Sequence, residues 1–313
     1  MSLAKLRQAN TELVAKLNQP NDNKSRFEDK RIFKPFFDKD KGTGYAVIRF
    51  LPPCEAELNE VPYFVSVKSA NFKYNGKFFL EKSLNSIGKP DPLQQLKKRL
   101  WDSGVESDKE EYRRLKQRTT YYANVLVIKD PAHPENEGKV MIYEYGPAIA
   151  NLIKESQFPK DPEFEDEEKK APVNPFDLEN GADLIIKMVG KTITGNDGKD
   201  VFVPDYEKTK FASPTALFGG DEDKIMKVWS QCYPLKPFVS EDKFKTEAQL
   251  RKRLVEVLGT HIGSGVPVIE DTVSIEDGTI NVKPSVTTTK PKAPVTKDDD
   301  DDIDDLMASI LDD

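Results

Sequence analysis

The dipeptide Asn75-Gly76 stands between two runs of aromatic and basic residues, Phe72–Tyr74 and Lys77–Leu80, and constrains the chain more than any other short feature. Asn-Gly accepts the positive φ angles of a type I′ turn, so the flanking runs are expected to pair as a hairpin. Similar strand signals surround it. Tyr45–Leu51 stops at Pro52-Pro53, and Tyr63–Val67 follows. Thr119–Lys129 and Lys139–Tyr145, rich in Tyr and Val, are separated by a loop punctuated with Pro and Gly. Strand patterning returns at Asp183–Val189 and Val201–Val203. Helical spacing predicts helices over Pro92–Ser103, Asp108–Lys116, Ile149–Ser156, Asp221–Cys232 and Ser240–Leu258, the last with Ser240 as N-cap and Gly259 as stop.

Short strands first, with helices inserted and appended, predict an α+β, mainly β fold: a small barrel of the oligonucleotide-binding (OB) kind with helical elaborations. Its core is expected over 21–262, with a helical subdomain at about 84–117. Residues 1–20 form a separate amphipathic arm, with Leu3, Leu6, Leu13, Val14 and Leu17 at helical spacing and a breaker at Gln19–Asp22. Too short to be stable alone, the arm needs its own core or a neighbouring molecule to dock on. The acidic stretch 158–174 is expected to be a surface excursion, and 263–297 a linker of Val, Thr, Pro and Lys.

Net charge is -7, but nine aspartates lie between Asp298 and Asp313, where there is no Lys or Arg. The rest of the chain therefore carries 47 basic and 54 − 9 = 45 acidic side chains, close to neutral. Within the tail, Ile303, Leu306, Met307, Ile310 and Leu311 fall on one helical face. Such an acidic helix with an apolar stripe suits a partner protein's basic-rimmed groove. It also suits a tethered competitor for a cationic cleft of its own chain, and the plain alternative is a solubility tail. Cys54 and Cys232 have no metal or disulfide spacing. No apolar run is long enough to cross a bilayer, which predicts a soluble intracellular protein without membrane contact.

Catalytic signatures are missing. The two histidines, His133 and His261, have no nucleophile motif beside them, and no phosphate-binding glycine loop or zinc-protease motif occurs. The informative segment is 112–122, which places four cations, two hydroxyls and three tyrosines in eleven residues. Cations hold a phosphate track, and flat rings stack on bases whatever their identity, so the mixture points to single-stranded nucleic acid. Arg49, Lys68, Phe72, Lys73, Tyr74, Lys77, Phe78, Tyr143 and Tyr206 lie on segments able to line the same cleft. Each ring is equally well explained by packing, and a strand sends Tyr121 and Tyr122 to opposite faces, as it does Phe78 and Phe79. Two alternatives remain: an acidic adaptor indifferent to the charges at Lys116–Arg118, and a metal-dependent nuclease using carboxylates at Asp161–Glu168.

The stretch TTYYANVLVIKDPAHPENEGKV at 119–140 resembles the central part of the single-stranded DNA-binding proteins of T-even-type bacteriophages. AVIRFLP at 46–52, NGK at 75–77 with Phe78 and Phe79, and SEDKFK at 240–245 are similar too. The resemblance implies an OB fold, no enzymatic activity and cooperative coating of single strands. It also implies roles in replication, recombination and repair, carried out in the host cytoplasm with partner proteins of those pathways recruited by the tail. Matching positions make Arg49, Phe78, Tyr112, Lys116, Arg118, Tyr121, Tyr122, Tyr143 and Tyr206 the DNA-binding residues, and Lys77 and Arg113 join them from the same aromatic and basic runs. The arm departs from the family's basic-then-hydroxyl run, of which only Lys5 and Arg7 remain, and Lys5, Leu6, Arg7 and Leu13 are its expected self-association residues. At 116–120 the family's basic run is retained, with Gln117 in place of one cation. The family's structural zinc, held by one His and three Cys, corresponds most nearly to Ala70, Ser83, Asp91 and Gln94. Only Asp91 among these is a good zinc ligand, so no metal or other cofactor is expected.

Overall fold

The computed structural model describes residues 29–160, 171–194 and 200–269, with the backbone of 275–276 and 279–280. The arm at 1–20 and the tail at 298–313 lie outside the described residues, as does most of the expected linker.

The architecture is mixed α+β, built on a curled nine-stranded sheet. Its strands are β1 (Ile32–Phe33), β2 (Thr43–Phe50), β3 (Phe64–Tyr74), β4 (Lys77–Lys82), β5 (Gln117–Lys129), β6 (Val140–Tyr145), β7 (Asp183–Thr194), β8 (Asp200–Asp205) and β9 (Lys210–Phe211). The order is β1-β6-β5-β2-β7-β8, with β3 paired to β5 and β4, and β9 to β7. Strand β5 organises the rest. Its first half pairs with β3 over 117–123, and its second half pairs with β2 over 125–129. Opposite both, β6 pairs with residues 121–126. A register irregularity between Val47 and Ile48 of β2, opposite Val127 and Lys129, adds local twist at the far end of β5.

Burial follows the strand period. Tyr121, Ala123, Val125 and Val127 face the main core, where they meet Ala46, Ile48 and Phe50 of β2 and Tyr143 and Tyr145 of β6. Helix α3 (Pro147–Gln157) covers part of this core with Ile149, Ala150 and Ile153. On the opposite face of β5 the buried Asn124 hooks the backbone of Tyr233, donating to its carbonyl and accepting from its N–H, both at 2.9 Å. A buried amide satisfied in this way adds specificity without an open polar group.

A second apolar cluster unites the β3–β4 hairpin with α1 (Pro92–Asp102), α2 (Glu106–Arg114) and α5 (Glu247–Leu258). Asn75 and Gly76 take φ of 45° and 81°, as the type I′ turn requires. Leu93, Leu96 and Leu100 of α1 pack inward on Phe79, Leu250 and Leu254. A further helix, α4 (Glu222–Trp229), starts at an Asp221 N-cap and packs in a third cluster with Cys54 and Cys232.

Two expectations change. Helix α5 starts at Glu247, not after Ser240, because Thr246 and Gln249 form a reciprocal capping box, while Glu241–Lys243 is a separate 3-10 turn. Likewise the packed body does not end at 262. His261–Ile262 (β10) and Val266–Pro267 (β11) form a hairpin whose Val268 is buried in the helical cluster. Arg99 Nη2 donates to the carbonyls of Pro267 and Val268 at 3.0 Å, and Ser264 donates to the buried Asp108 through its N–H (2.6 Å) and its Oγ (2.7 Å). Residues 263–269, expected as linker, thus belong to the packed body.

Candidate nucleic-acid interface

At its N-terminal end β5 passes from the helical layer into the sheet, and there it carries its cations. Lys116 and Arg118 are both exposed. Between them Gln117 is tied back, its Oε1 accepting from Gln94 Nε2 at 2.9 Å. Alternation thus presents residues 116 and 118 outward while 117 anchors the strand.

Arg118 stands at the rim of a cleft of about 210 Å³ lined by Thr120, Tyr143, Glu144, Tyr145, Gly146, Pro147, Ala148, Ile149 and Tyr206. Its guanidinium lies over Gly146, where an added Cβ would come within 3.6 Å of Nη2. Its charge also reaches the hydroxyls of Tyr206 and Tyr122, opposing the rise that burial imposes on both pKa values. The first turn of α3 borders the cleft, adding the partial positive charge of a helix N-terminus. Glu144 is the only acid among the lining residues.

Stacked tyrosines make the floor. Tyr143 and Tyr145 lie 5.2 Å apart between ring centroids, and Tyr145 lies 5.4 Å from Tyr121. Burial drives the pKa of Tyr143 and Tyr145 well above that of a free phenol. The Tyr145 hydroxyl is buried and has no hydrogen-bond partner among the described residues. Sequence reading missed Tyr145, yet it sits two residues after Tyr143 on the same strand face. That alternation was the available signal.

Apart from Lys116, which is exposed just before β5 and does not line the cleft, the expected site residues divide into four groups. Arg118, Tyr143 and Tyr206 share the cleft, with Tyr143 contributing only to its floor because its ring is 1% exposed. Lys77 and Phe78 sit at the β3–β4 hairpin, where Phe78 is 53% exposed beneath Lys73 Nζ, 5.2 Å from the ring centroid. Lys77 Nζ donates to the carbonyl of Glu256 at 2.7 Å. On α2, Tyr112 packs against Trp101 under Lys97, and the exposed Arg113 pairs with Glu106 at 3.0 Å.

The last group turns inward. Arg49 is fully buried, its Nη2 donating to the carbonyls of Thr215 (2.7 Å) and Asp177 (3.1 Å) and its Nη1 meeting Asp183 at 3.3 Å. Its guanidinium fastens two loops to β2 and presents no charge to a cleft. Tyr121 is core, edge-on to Phe64, and Phe72 is buried against Phe79 at 5.1 Å. Tyr122 is half-buried on the other sheet face, stacked 4.2 Å from Phe238, and burial with Glu144 nearby pushes its pKa up to about 12. The physical reason is common to all four: the ladder had already committed these faces to packing.

A rim cation, a helix N-terminus and a wall of rings define a binding surface of the kind that takes an extended anion with flat groups. Comparison with known proteins agrees. Residues 42–258 match the family described as gp32 DNA binding protein like. The chain is 32% identical over 261 residues to the single-stranded DNA-binding protein of Enterobacteria phage T4, covering 83% of this chain and 81% of that one. It is 32% identical over 257 residues to the namesake protein of Enterobacteria phage T2, covering 81% and 79%. This chain belongs to the gp32-like family of DNA-binding proteins, a family defined by binding and not by a reaction.

Proposed function

We propose that the protein binds single-stranded DNA without sequence preference, with Lys116 and Arg118 holding phosphates at the mouth of the β5–β6 cleft. The carrying observation is the cleft itself, where Arg118, Tyr206 and the Tyr143–Tyr145 floor meet. Cations at the rim release counterions from the backbone, and ring faces accept bases of any identity. Tyr206 and the exposed Phe78 are the rings best placed to take bases. Strand β5, shared by β3 and β2 on one edge and by β6 on the other, is the pairing expected of an OB-type barrel.

By kinship with the phage proteins, the same reading makes binding cooperative through the arm at 1–20. It places the activity in phage DNA replication, recombination and repair inside the host cell, with the tail at 298–313 recruiting partner proteins and competing for the cleft. No helix among the described residues is long and apolar enough to cross a membrane.

The test is fluorescence titration of the full chain with oligo-dT and oligo-dA at two salt concentrations. Saturable binding to both, weakened by salt and abolished by the double reversal Lys116→Glu with Arg118→Glu, is expected. Binding indifferent to that reversal would remove the cleft from the proposal. Deleting 298–313 is expected to tighten binding and to flatten its salt dependence; unchanged affinity at every salt concentration would refute the competitor role.

A further inference from the structure

The resemblance to the T-even-type proteins implies a structural zinc beside the β3–β4 hairpin, at positions corresponding most nearly to Ala70, Ser83, Asp91 and Gln94. Three of these positions converge in the structure. Ala70, Ser83 and Asp91 border a single void of about 10 Å³, together with Phe79, Glu81, Leu93 and Gln117, and the Glu81 carboxylate is paired with Lys245. That is room for about one water molecule.

The donor set does not suit zinc. Ala70 has no ligating atom, and Ser83 and Gln94 offer neutral polar atoms where zinc takes thiolate, imidazole or carboxylate. Asp91 remains, and its carboxylate is fully engaged. Oδ2 accepts from Ser83 Oγ at 2.9 Å and from the N–H of Leu84 at 2.8 Å. Oδ1 accepts from the N–H groups of Leu93 at 2.9 Å and Gln94 at 3.1 Å. A carboxylate has about four acceptor positions, and here all are filled by groups that have few alternatives. A zinc ion would displace at least one of them and gain at most two carboxylates, Asp91 and a Glu81 already paired with Lys245, with no thiolate or imidazole beside them.

We infer that this Asp91-centred network takes the place of a metal, so that the subdomain folds and keeps its shape without zinc. One carboxylate joins the end of β4, through Ser83 and Leu84, to the first turn of α1. Gln94 extends the connection to Gln117, between Lys116 and Arg118 on β5. Both Ser83 and Asp91 are buried, so these hydrogen bonds are shielded from competing water. The inference rests on these contacts and is independent of the DNA-binding reading.

The experiment uses the full chain expressed in zinc-supplemented medium. Zinc content is measured by elemental mass spectrometry, and the melting temperature is recorded with and without 1,10-phenanthroline. No stoichiometric zinc and no shift with the chelator are expected. Asp91→Ala should lower the melting temperature by about 5 °C or more, and Ser83→Ala, which removes one of the four bonds, by less. Stoichiometric zinc, or a fall in melting temperature on chelation, overturns the inference. So does an Asp91→Ala protein that melts with the wild type. Should that variant fail to fold, Ser83→Ala decides: a melting temperature equal to the wild type's counts against the network.

Discussion

Arg49 and Arg118 lie on neighbouring strands, β2 and β5, and carry the same charge in opposite settings. Around Arg49 the protein has closed: a carboxylate and two carbonyls from 177, 183 and 215 surround the guanidinium. Around Arg118 it has stayed open, with a glycine beneath the guanidinium and tyrosine hydroxyls beside it. Burying a cation is tolerated only where fixed acceptors replace water, so such a residue holds loops together. An exposed cation beside a concave apolar wall keeps its charge for something outside the chain. Residue type alone does not distinguish the two.

The contrast can be broken by experiment. The largest expected effect is on stability: Arg49→Ala should cost about 3 kcal/mol in urea unfolding, because it strands Asp183 and two carbonyls, while the folded protein keeps its oligo-dT affinity. A comparable loss of affinity in the folded fraction would put Arg49 back among the binding residues. Arg118→Ala should do the reverse, weakening oligo-dT binding about tenfold at low salt and reducing the salt slope by about 1, with the unfolding midpoint unchanged.

Tyr145→Phe sharpens the comparison on the cleft side. It removes a hydroxyl without a partner among the described residues. Titration should show a loss of about 0.5–1.5 kcal/mol in DNA binding if that hydroxyl pairs with the ligand, and the protein should be no less stable. The smallest effect concerns alkaline pH. Tyr122 has its pKa raised from 10.0 to about 12, so its neutral form is favoured in the fold. That contribution is complete below pH 10 and lost as pH rises towards 12, a window in which Cys232, raised from 9.0 to about 12, also titrates. Tyr122→Phe should make the decline in stability between pH 10 and 12 shallower, as read by chemical denaturation at stepped pH. An identical decline would mean the other buried groups govern it.

Much of the scaffold was legible because short-range rules dictate it. The Asn75-Gly76 turn, the leucine face of α1 and the long run of β5 each depend on neighbours within one element. The hairpin at 261–269 was missed because two-residue strands leave no period, and its order comes from Arg99 and Asp108, far away in sequence. Thr246 had a readable capping pattern with Gln249, but Ser240 offered an earlier start, and the reciprocal capping box decided between them. For the site, the cationic end of β5 was visible, whereas the facing of each ring was not. Tyr121 and Tyr122 were known to diverge, but which one entered the core depended on β6, since Tyr121 pairs opposite Tyr145.

Three ladders converge on β5, and this limits how the protein can accommodate a guest. A strand held by β3, β2 and β6 at once cannot slide without disrupting all of them, so the backbone beneath Arg118 stays put when the cleft fills. Any widening must come from the opposite bank, where Pro147 begins α3 and Tyr206 follows the end of β8. The proposed anchor point for a bound strand is thus fixed in space, and adjustment to its shape is left to the bank at Pro147 and Tyr206, outside the three ladders of β5.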